Sequence, residues 1–263
     1  MKQVTSLKKV PVWASAALAI ALLQGCATGP QANAADPLEP FNRSVYSFNE
    51  GLDRTVLKPV ATVYQDITPS PVRTGVTNFF ANISDVWSVV NNLLQAKPAE
   101  AMDSLFRVTT NTFWGVGGIF DVATELKIPQ HKEDFGQTLG TWGLASGPYV
   151  VLPLFGPSSV RDTAGLVVDL QGNVLSQADN VPVRNSLRTL NLVDTRANLL
   201  GVGDLLDQAA LDKYAFTRDA YLQRRQSLIG GNNQRIEPEE RFDLPETPPA
   251  GSPASEASKP NPQ

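Results

Sequence analysis

The residue types that carry most covalent and metal chemistry in proteins are nearly absent from this sequence. It contains a single cysteine, Cys26, and a single histidine, His131, so a zinc site built from several such residues is excluded. A serine hydrolase would need His131 as its base, but this residue lies in the charged run 130–134, which favours a solvated surface position. The glycine-rich run 115–118 lacks the lysine and hydroxyl residue of a phosphate loop. We therefore predict no catalytic residue, no metal and no cofactor.

Cys26 is predicted to carry a covalent lipid. Three lysines precede an apolar run at 10–23, whose 14 residues fall short of the roughly 20 that span a bilayer. Such a run is typical of a signal peptide, and it ends in Leu23-Gln24-Gly25-Cys26, the cleavage pattern of a bacterial lipoprotein. We expect residues 1–25 to be removed and Cys26 to be lipidated. An ordinary signal peptide with a chance cysteine, or a buried thiol, is the alternative.

Both ends of the mature chain are predicted to lie outside the folded domain. Residues 26–35 form a short lipidated tether, which at about 3.3 Å per residue reaches roughly 30 Å. Residues 231–263 form a disordered tail, because its seven prolines among charged and small residues leave too little apolar surface to fold. Ala27 stands where an aspartate would favour retention in the inner membrane, so we expect delivery to the outer membrane. Loss of residues 1–25 takes the formal net charge from −4 to −7, which argues against nucleic acid as a partner.

Residues 36–230 are predicted to form one all-α domain. Apolar residues recur there at intervals of three and four, which predicts five amphipathic helices. We expect the first helix to stop before Pro59 and the second to begin at Pro71, since proline suits the first position of a helix. A short strand at Tyr149–Leu152 is the only extended element predicted. The five apolar stripes cover residues 41–56, 72–94, 102–113, 187–200 and 204–229.

The centre of the chain is a segment rich in glycine and proline that carries no charge. Phe135–Val160 contains no Asp, Glu, Lys, Arg or His in 26 residues, and its five glycines and three prolines forbid a continuous spanning helix. Gly136, Gly140, Gly143 and Gly147 step by 4, 3 and 4, which on a helix would place them within about 60° of arc. Such a stripe lets another helix or an acyl chain approach the backbone closely. A tightly packed helix pair, or a buried loop of an ordinary globular protein, explains it equally well.

Two arginines interrupt the apolar stripe of the last predicted helix. Arg218 and Arg225 lie seven residues apart within it, and a guanidinium in apolar surroundings requires a partner or must reach out to water. We favour an ion pair with an aspartate of a neighbouring helix. The alternative is contact with a lipid phosphate, which the planar guanidinium suits well.

Several short stretches of the chain form an ordered series that resembles the MlaA (VacJ) family of outer-membrane phospholipid-trafficking lipoproteins. The series covers roughly residues 36–229, and the lipoprotein signal is similar as well. No single stretch is decisive, but their order is specific. The stretches are Asp36-Pro37-Leu38-Glu39-Pro40-Phe41-Asn42-Arg43, Phe48-Asn49, Leu52-Asp53, Lys58-Pro59-Val60-Ala61, Asn78-Phe79-Phe80-Ala81-Asn82, Asn111-Thr112, Gly117-Gly118-Ile119-Phe120-Asp121-Val122-Ala123, Asp134-Phe135-Gly136-Gln137-Thr138-Leu139-Gly140, Gly147-Pro148-Tyr149, Leu152-Pro153 and Gly156-Pro157-Ser158-Ser159-Val160-Arg161-Asp162.

The resemblance implies a ring-like arrangement of amphipathic helices embedded in the periplasmic leaflet of the outer membrane. It further implies a passive opening through which phospholipid leaves the outer leaflet, a neighbouring trimeric porin, and a soluble periplasmic carrier that receives the lipid. A structural lipoprotein that scaffolds porins and a lipid hydrolase are the alternatives. We expect the uncharged segment to line the opening, since irregular backbone at membrane depth is tolerated where it lines a cavity. The residues predicted to do so are Phe135, Gly136, Gly140, Gly143, Gly147, Pro148, Tyr149 and Pro153.

Overall fold

A computed structural model of the chain describes residues 36–230. The predicted signal peptide, the lipidated Cys26, the tether 26–35 and the tail 231–263 lie outside the described residues, so these predictions stay untested. The described part is mainly helical, which confirms the predicted class except for one small hairpin. Its helices are α1 (Glu39–Leu52), α2 (Lys58–Ile67), α3 (Ser70–Leu94), α4 (Pro98–Phe113), α5 (Val122–Glu125), α6 (Phe135–Thr141), α7 (Val160–Gly172), α8 (Val181–Asn198), α9 (Leu200–Ala209) and α10 (Lys213–Gly230).

The first predicted helix does not stop before Pro59, and this prediction is wrong. The chain stays helical from α1 into α2 through a π-helical turn at Asp53–Leu57, where Lys58 N–H bonds to the carbonyl of Asp53. A π turn widens the backbone by one residue, which makes room for a proline ring that an unbroken α-helix would reject. The helix ends at Ile67 instead, where Thr68 adopts an extended conformation before Pro69.

The last predicted helix is two helices rather than one. α9 ends at Ala209 and α10 begins at Lys213. Asp212 lies in the break, and its carboxylate accepts a hydrogen bond of 3.1 Å from the backbone N–H of Ala215. An aspartate in this position satisfies an orphan donor at a helix start, so it favours a new helix over continuation of the old one.

The uncharged segment contains one short helix and one β-hairpin. It opens with α6, whose N-cap is Asp134, and crosses a loop to β1 (Tyr149–Leu152), the strand predicted from the sequence. β1 pairs antiparallel with β2 (Gly156–Ser159), so that Tyr149 lies opposite Ser159 and Leu152 opposite Gly156. β2 runs directly into α7. The hairpin therefore joins two helices that both begin beside the charged residues flanking the segment.

The interior of the domain is mostly polar. Buried side chains include Asn42, Asp85, Asn91, Asn92 and Arg107, whereas buried apolar residues form only two small clusters. The first cluster is Ala61, Ala197 and Leu200 with Tyr64 beside it, and the second is Tyr149, Val151 and Tyr214 with Val45, Tyr46, Tyr221 and Leu222. Polar groups this deep need hydrogen-bond partners, and the helices supply them to one another.

Within residues 36–230, no helix has both the length and the apolar character that crossing a bilayer demands.

Candidate functional site

The longest helical hairpin places a polar seam between its two helices. On α3 the seam contains Asp85, Ser88 and Asn92, and on α4 it contains Ser104 and Arg107. Arg107 Nε lies 3.4 Å from Asp85 Oδ2, and the Asn92 amide lies 3.5 Å from Ser104 Oγ. Burial raises the pKa of Asp85, whereas Arg107 and the other hydrogen-bond partners lower it. The effect of burial is the larger, so the pKa of Asp85 is raised overall. The apolar stripes predicted for α3 and α4 are present, but the two helices pack against each other through their polar faces.

Apolar side chains lie on the outside of the same helices. The residues that define the predicted stripes of the first three helices are exposed in large part, and exposure of a contiguous apolar face is unusual for a protein surrounded by water. Exposed examples are Phe41, Phe48 and Val56 near the start of the domain, Val72, Val90 and Leu94 on α3, and Met102, Leu105, Phe106 and Phe113 on α4. The domain is therefore inverted relative to an ordinary globular protein, with polar groups inside and apolar groups outside.

Arg225 holds the two ends of the uncharged segment together. From α10 its guanidinium reaches Asp134, just before the segment, at 2.5 and 2.9 Å, and Asp162, just after it, at 2.9 and 3.0 Å. Tyr221 OH also donates to Asp162, at 2.6 Å. We call Arg225, Asp134, Asp162 and Tyr221 the Arg225 cluster. Within this cluster, four of the five N–H donors of Arg225 form hydrogen bonds to the two carboxylates.

The ionisation of the Arg225 cluster follows from this geometry. Burial by itself raises the pKa of Asp134 and of Asp162, but hydrogen bonds and charge attraction from Arg225 outweigh it, so that both pKa values are lowered. Both carboxylates are therefore charged at neutral pH. The favoured prediction of an ion pair describes Arg225 in the structure, and a lipid phosphate would have to compete with two aspartates already bound.

Arg218 is also paired with acids. Its Nε lies 2.8 Å from Asp219, and its Nη1 lies 3.5 Å from the fully buried carboxylate of Asp36. Tyr214 OH donates to the same Asp36 carboxylate, and Asn42 donates to it at 2.8 Å. These contacts tie α10 to the start of α1. Phosphate contact by Arg218 and Arg225 stays a prediction.

Two asparagines of α1 hold the hairpin from its free edge. Asn42 donates to Tyr149 O at 3.0 Å and accepts from Val151 N at 2.8 Å, as a neighbouring strand would. Asn49, two helical turns later, forms the same pair of bonds with Leu152 O and the backbone N–H of the residue after Pro153. Side-chain amides thus satisfy the edge of β1 that β2 does not reach.

The four glycines do not form one helical stripe, and that prediction is wrong. α6 ends at Thr141, and Gly143 and Gly147 follow with φ of +93° and +68°, where they form turns. The reason is that these two positions adopt the left-handed region that glycine permits, which ends the helix. Only Gly136 and Gly140 share the face of α6.

Gly136 and Gly140 are nevertheless closely packed. A Cβ on Gly136 would lie 2.7 Å from both Arg225 Nη2 and Asp162 Oδ1, and a Cβ on Gly140 would lie 2.7 Å from Ile229 Cδ1. A Cβ on Gly165 of α7 would lie 2.5 Å from the backbone nitrogen of Gly136. The close approach predicted from the sequence is therefore real for two of the four glycines, and its partners are α7 and α10.

The remaining predicted residues of the opening are placed differently from one another. Tyr149 is fully buried in the second apolar cluster, so its side chain is part of the core. Phe135 is half-buried against Trp142, whereas Gly143, Gly147, Pro148 and Pro153 are exposed. Beside the hairpin lies a cavity of about 160 Å³, whose lining includes the Arg225 cluster and the apolar side chains of Leu152, Phe155 and Leu166.

His131 is half-buried rather than fully solvated. Its Nε2 lies 3.1 Å from Asp103 Oδ2, and in residues 36–230 we find no hydrogen bond from its ring to a serine, threonine or cysteine. A histidine with a carboxylate partner alone lacks the nucleophile of a hydrolase.

Sequence reasoning missed the acidic partners and Gly165. Asp134 also begins α6, since its carboxylate accepts from Gln137 N at 2.8 Å. The available signal for the Arg225 cluster was position, because Asp134 directly precedes the uncharged segment and Arg161-Asp162 directly follow it. Nothing in the local pattern marks Gly165 or the buried Asp36.

Together these features define a class of protein, a helical domain with a polar interior and an apolar surface that suits apolar surroundings. The model of the family described as MlaA lipoprotein matches residues 34–228. The chain belongs to the MlaA lipoprotein family, which confirms the resemblance seen in its motifs.

Named relatives and a solved structure agree with the family. The chain is 38% identical over 230 residues to the intermembrane phospholipid transport system lipoprotein MlaA of Escherichia coli (strain K12), with 85% of this chain and 90% of that protein covered. Its counterpart in Haemophilus influenzae is 34% identical, with 82% and 89% covered. A solved structure, described as the structural basis for maintenance of bacterial outer membrane lipid asymmetry, is 36% identical with a TM-score of 0.65, covering 74% of this chain and 98% of that one.

Proposed function

We propose that this protein is an outer-membrane lipoprotein that removes mislocalised phospholipid from the outer leaflet and passes it to a soluble periplasmic carrier, which maintains lipid asymmetry. The inverted polarity of residues 36–230 carries the proposal. A domain with polar side chains inside and apolar side chains outside is stable where its surface meets acyl chains. The names of the relatives, which refer to intermembrane phospholipid transport, supply the substrate class.

The helices lie in the periplasmic leaflet as a ring, with their exposed apolar faces toward acyl chains. Lipidation of Cys26 delivers the chain there, and the nine residues between it and Asp36 keep the domain near the membrane surface. A trimeric porin lies beside the ring. Support for the membrane setting comes from the exposed faces of α1, α3 and α4, which a water-soluble domain would bury.

The uncharged segment lines the opening. Its backbone is irregular between α6 and β1, and the segment itself carries no charge. It is held in place by the Arg225 cluster at its two ends and by Asn42 and Asn49 at the edge of β1. Non-helical backbone at membrane depth is tolerated only where protein or a cavity surrounds it. The exposed members Gly143, Gly147, Pro148 and Pro153 are the positions that face the passing lipid.

Movement through the opening is passive and needs a carrier. Two acyl chains with about 30 methylenes, at roughly 0.8 kcal/mol each, would cost on the order of 25 kcal/mol to expose to water. Free release of phospholipid is therefore negligible, and each molecule must move directly onto another apolar surface. The sequence contains no nucleotide motif, so the energy that sets the direction of transport comes from other components.

Deletion and complementation test this proposal against its alternatives. Outer-leaflet phospholipid, measured by its cleavage in intact cells with an added phospholipase, should rise on deletion and return to normal with the wild-type gene. An unchanged outer leaflet would favour a porin scaffold. Release of free fatty acid by the purified protein from phospholipid vesicles would favour a hydrolase. Either result would overturn the proposal.

A further inference from the structure

Two arginines near the start of α8 carry charge that no acidic residue of the described chain balances. Arg184 and Arg188 lie one helical turn apart on the same face, a spacing at which Cβ atoms are about 5–6 Å apart. Within residues 36–230 no carboxylate lies within 4.0 Å of either guanidinium, and Asp179, the acid nearest to them in the sequence, is exposed. Six other arginines of these residues do form ion pairs with carboxylates, namely Arg43, Arg107, Arg161, Arg196, Arg218 and Arg225.

The hydrogen bonds that these two arginines form have neutral acceptors. Arg184 Nη1 donates to the carbonyl of Ala178 at 3.4 Å, and Arg188 Nη2 donates to Ser176 Oγ at 2.7 Å. Arg184 is half-buried, and its Nε is buried without an acceptor in residues 36–230. Each guanidinium has five N–H donors, so most donors of the pair, apart from this Nε, are available to a ligand.

This arrangement is unfavourable in the protein alone. Like charges four residues apart on a helix repel each other, and a half-buried cation without a counter-ion has lost part of its hydration. The N-terminus of α8 adds a partial positive charge, and its first turn, residues 181–184, contains no Asp or Glu. An anion bound to both guanidinium groups would offset these costs. A phosphate suits the pair best, because it carries charge and several acceptor oxygens that planar guanidinium groups bind well.

Exposed valines lie beside the pair. Val174, in the connection between α7 and α8, is 42% exposed, and Val181 and Val183 at the start of α8 are each 49% exposed. The acceptors of the two arginines belong to the same connection, so the valines and the arginines share one corner of the domain. Basic side chains next to exposed apolar ones suit the boundary between hydrocarbon and water, where arginine reaches the level of the lipid phosphates.

We propose that Arg184 and Arg188 bind the phosphate of an anionic phospholipid of the surrounding membrane. The proposal rests on the proposed membrane setting and goes beyond it, because it assigns a head-group site outside the uncharged segment and the Arg225 cluster. The valines favour a lipid as the source of the phosphate, since a free phosphate ion would leave them in water. The two unbalanced positive charges favour a lipid of net negative charge, such as phosphatidylglycerol, over a zwitterionic one.

Lipid binding measured by native mass spectrometry tests this proposal. The mature protein is purified in a neutral detergent and titrated with dioleoyl phosphatidylglycerol, or with dioleoylglycerol, which has the same acyl chains but no phosphate. Arg184→Gln/Arg188→Gln removes both charges, and Arg224→Gln is the matched control, because Arg224 is exposed on α10. We expect one phosphatidylglycerol molecule to bind the double variant about tenfold more weakly than the wild type, since hydrogen bonds between charged groups are lost.

The controls should separate a phosphate contact from a structural role. Arg224→Gln should bind phosphatidylglycerol like the wild type, and the affinity for dioleoylglycerol should be the same in all proteins. Arg184→Lys/Arg188→Lys keeps both charges without the planar fork, so it should recover part of the lost affinity. An equal loss of dioleoylglycerol binding in the double glutamine variant would overturn the proposal. A melting temperature below that of Arg224→Gln in the absence of lipid would also overturn it, since the arginines would then pair with an acid of the chain itself.

The remaining outcomes separate this proposal from the proposed function. Equal phosphatidylglycerol binding by the wild type and the double glutamine variant would overturn the proposal and leave the proposed function standing. If that variant also loses binding to the periplasmic carrier, the pair contacts an acidic protein surface instead. Inorganic phosphate that displaces the lipid at equal concentration would assign the site to free phosphate and overturn the lipid source. Absence of phosphatidylglycerol binding by the folded wild type would contradict the proposed function itself.

Discussion

Replacement of Arg225 is the perturbation whose effect the structure predicts most directly. Arg225→Gln keeps a polar side chain, although a shorter one, and removes the charge that faces Asp134 and Asp162. The Asp162 carboxylate is 7% exposed and would lose one of its two cationic partners, keeping Arg161 at 2.8 Å, whereas Asp134 is 38% exposed and partly screened by water. Breaking a buried ion pair from one side costs about 3–5 kcal/mol, and the exposure of Asp134 places the expected loss near the lower end.

Thermal unfolding of the purified protein in detergent micelles measures this loss. For a domain of this size, each kcal/mol lowers Tm by about 2–4 °C, so Arg225→Gln should melt roughly 6–12 °C below the wild type. Arg224→Gln is the matched control, because Arg224 is the exposed neighbour on α10 and a surface change there should stay within about 0.5 kcal/mol.

The pH dependence of the same difference gives a second check. The pKa values of Asp134 and Asp162 are lowered in the folded protein. Their contribution to the free energy of unfolding is therefore fully present at pH values above the unfolded pKa, about 3.9. This contribution is lost as the pH falls through the folded pKa values. The gap between wild type and Arg225→Gln should therefore be widest at neutral pH and narrow on acidification. Equal melting of Arg225→Gln, Arg224→Gln and the wild type at pH 7 would refute the reasoning. Normal stability with lost transport would favour a phosphate contact.

Three further predictions concern small residues and the anchor. Gly136→Ala should destabilise the domain by about 1–3 kcal/mol, because its Cβ would overlap Arg225 and Asp162. Gly51→Ala, in open space on α1, should be neutral or stabilising by up to about 1 kcal/mol, and equal urea midpoints for the two would contradict this. Gly140→Leu should displace Ile229 of α10 and raise outer-leaflet phospholipid in otherwise normal membranes, and a normal outer leaflet would exclude a role for that packing. Cys26→Ala should appear outside the outer-membrane fraction while its helical domain resists protease as the wild type does, and normal fractionation would disprove lipid delivery.

The helices were largely predictable because their periodicity is strong. Stripes at intervals of three and four located α3 and α4 within a few residues, and Pro71 marked the start of α3. The errors arose where a local device overrides the pattern. The π turn at Asp53–Leu57 carries a helix past Pro59, and Asp212 starts a new helix inside a continuous stripe.

The inside of the domain was harder to predict than its elements. Periodicity shows that a helix has two faces, but it does not tell which face is buried, and here the buried face of α3 carries Asp85, Ser88 and Asn92. These positions also lie at helical spacing, so a polar stripe of Asn, Ser and Asp with few charges is the signal for an inverted domain. Phenylalanine and valine on the opposite face of the helix are the second part of this signal.

The partners within the site could not be predicted from local sequence. An arginine in an apolar stripe indicates that an acidic partner exists, but Arg225 lies 91 residues from Asp134 and 63 residues from Asp162 in the sequence. Only tertiary packing brings them together, and that packing requires a backbone contact between Gly136 and Gly165 that no spacing rule reveals. The hairpin edge is similar, since Asn42 and Asn49 act on β1 from more than 100 residues away.

Photo-crosslinking along the uncharged segment tests the central claim most directly. A photoreactive amino acid is introduced in cells at the exposed positions Gly143, Pro148 and Pro153, with the exposed Gln223 of α10 as the control site. If phospholipid passes along the segment, the three positions should form phospholipid adducts, detected by mass spectrometry, well above the level at Gln223. Folded and correctly located protein with no phospholipid adduct at any of the three positions would contradict the account.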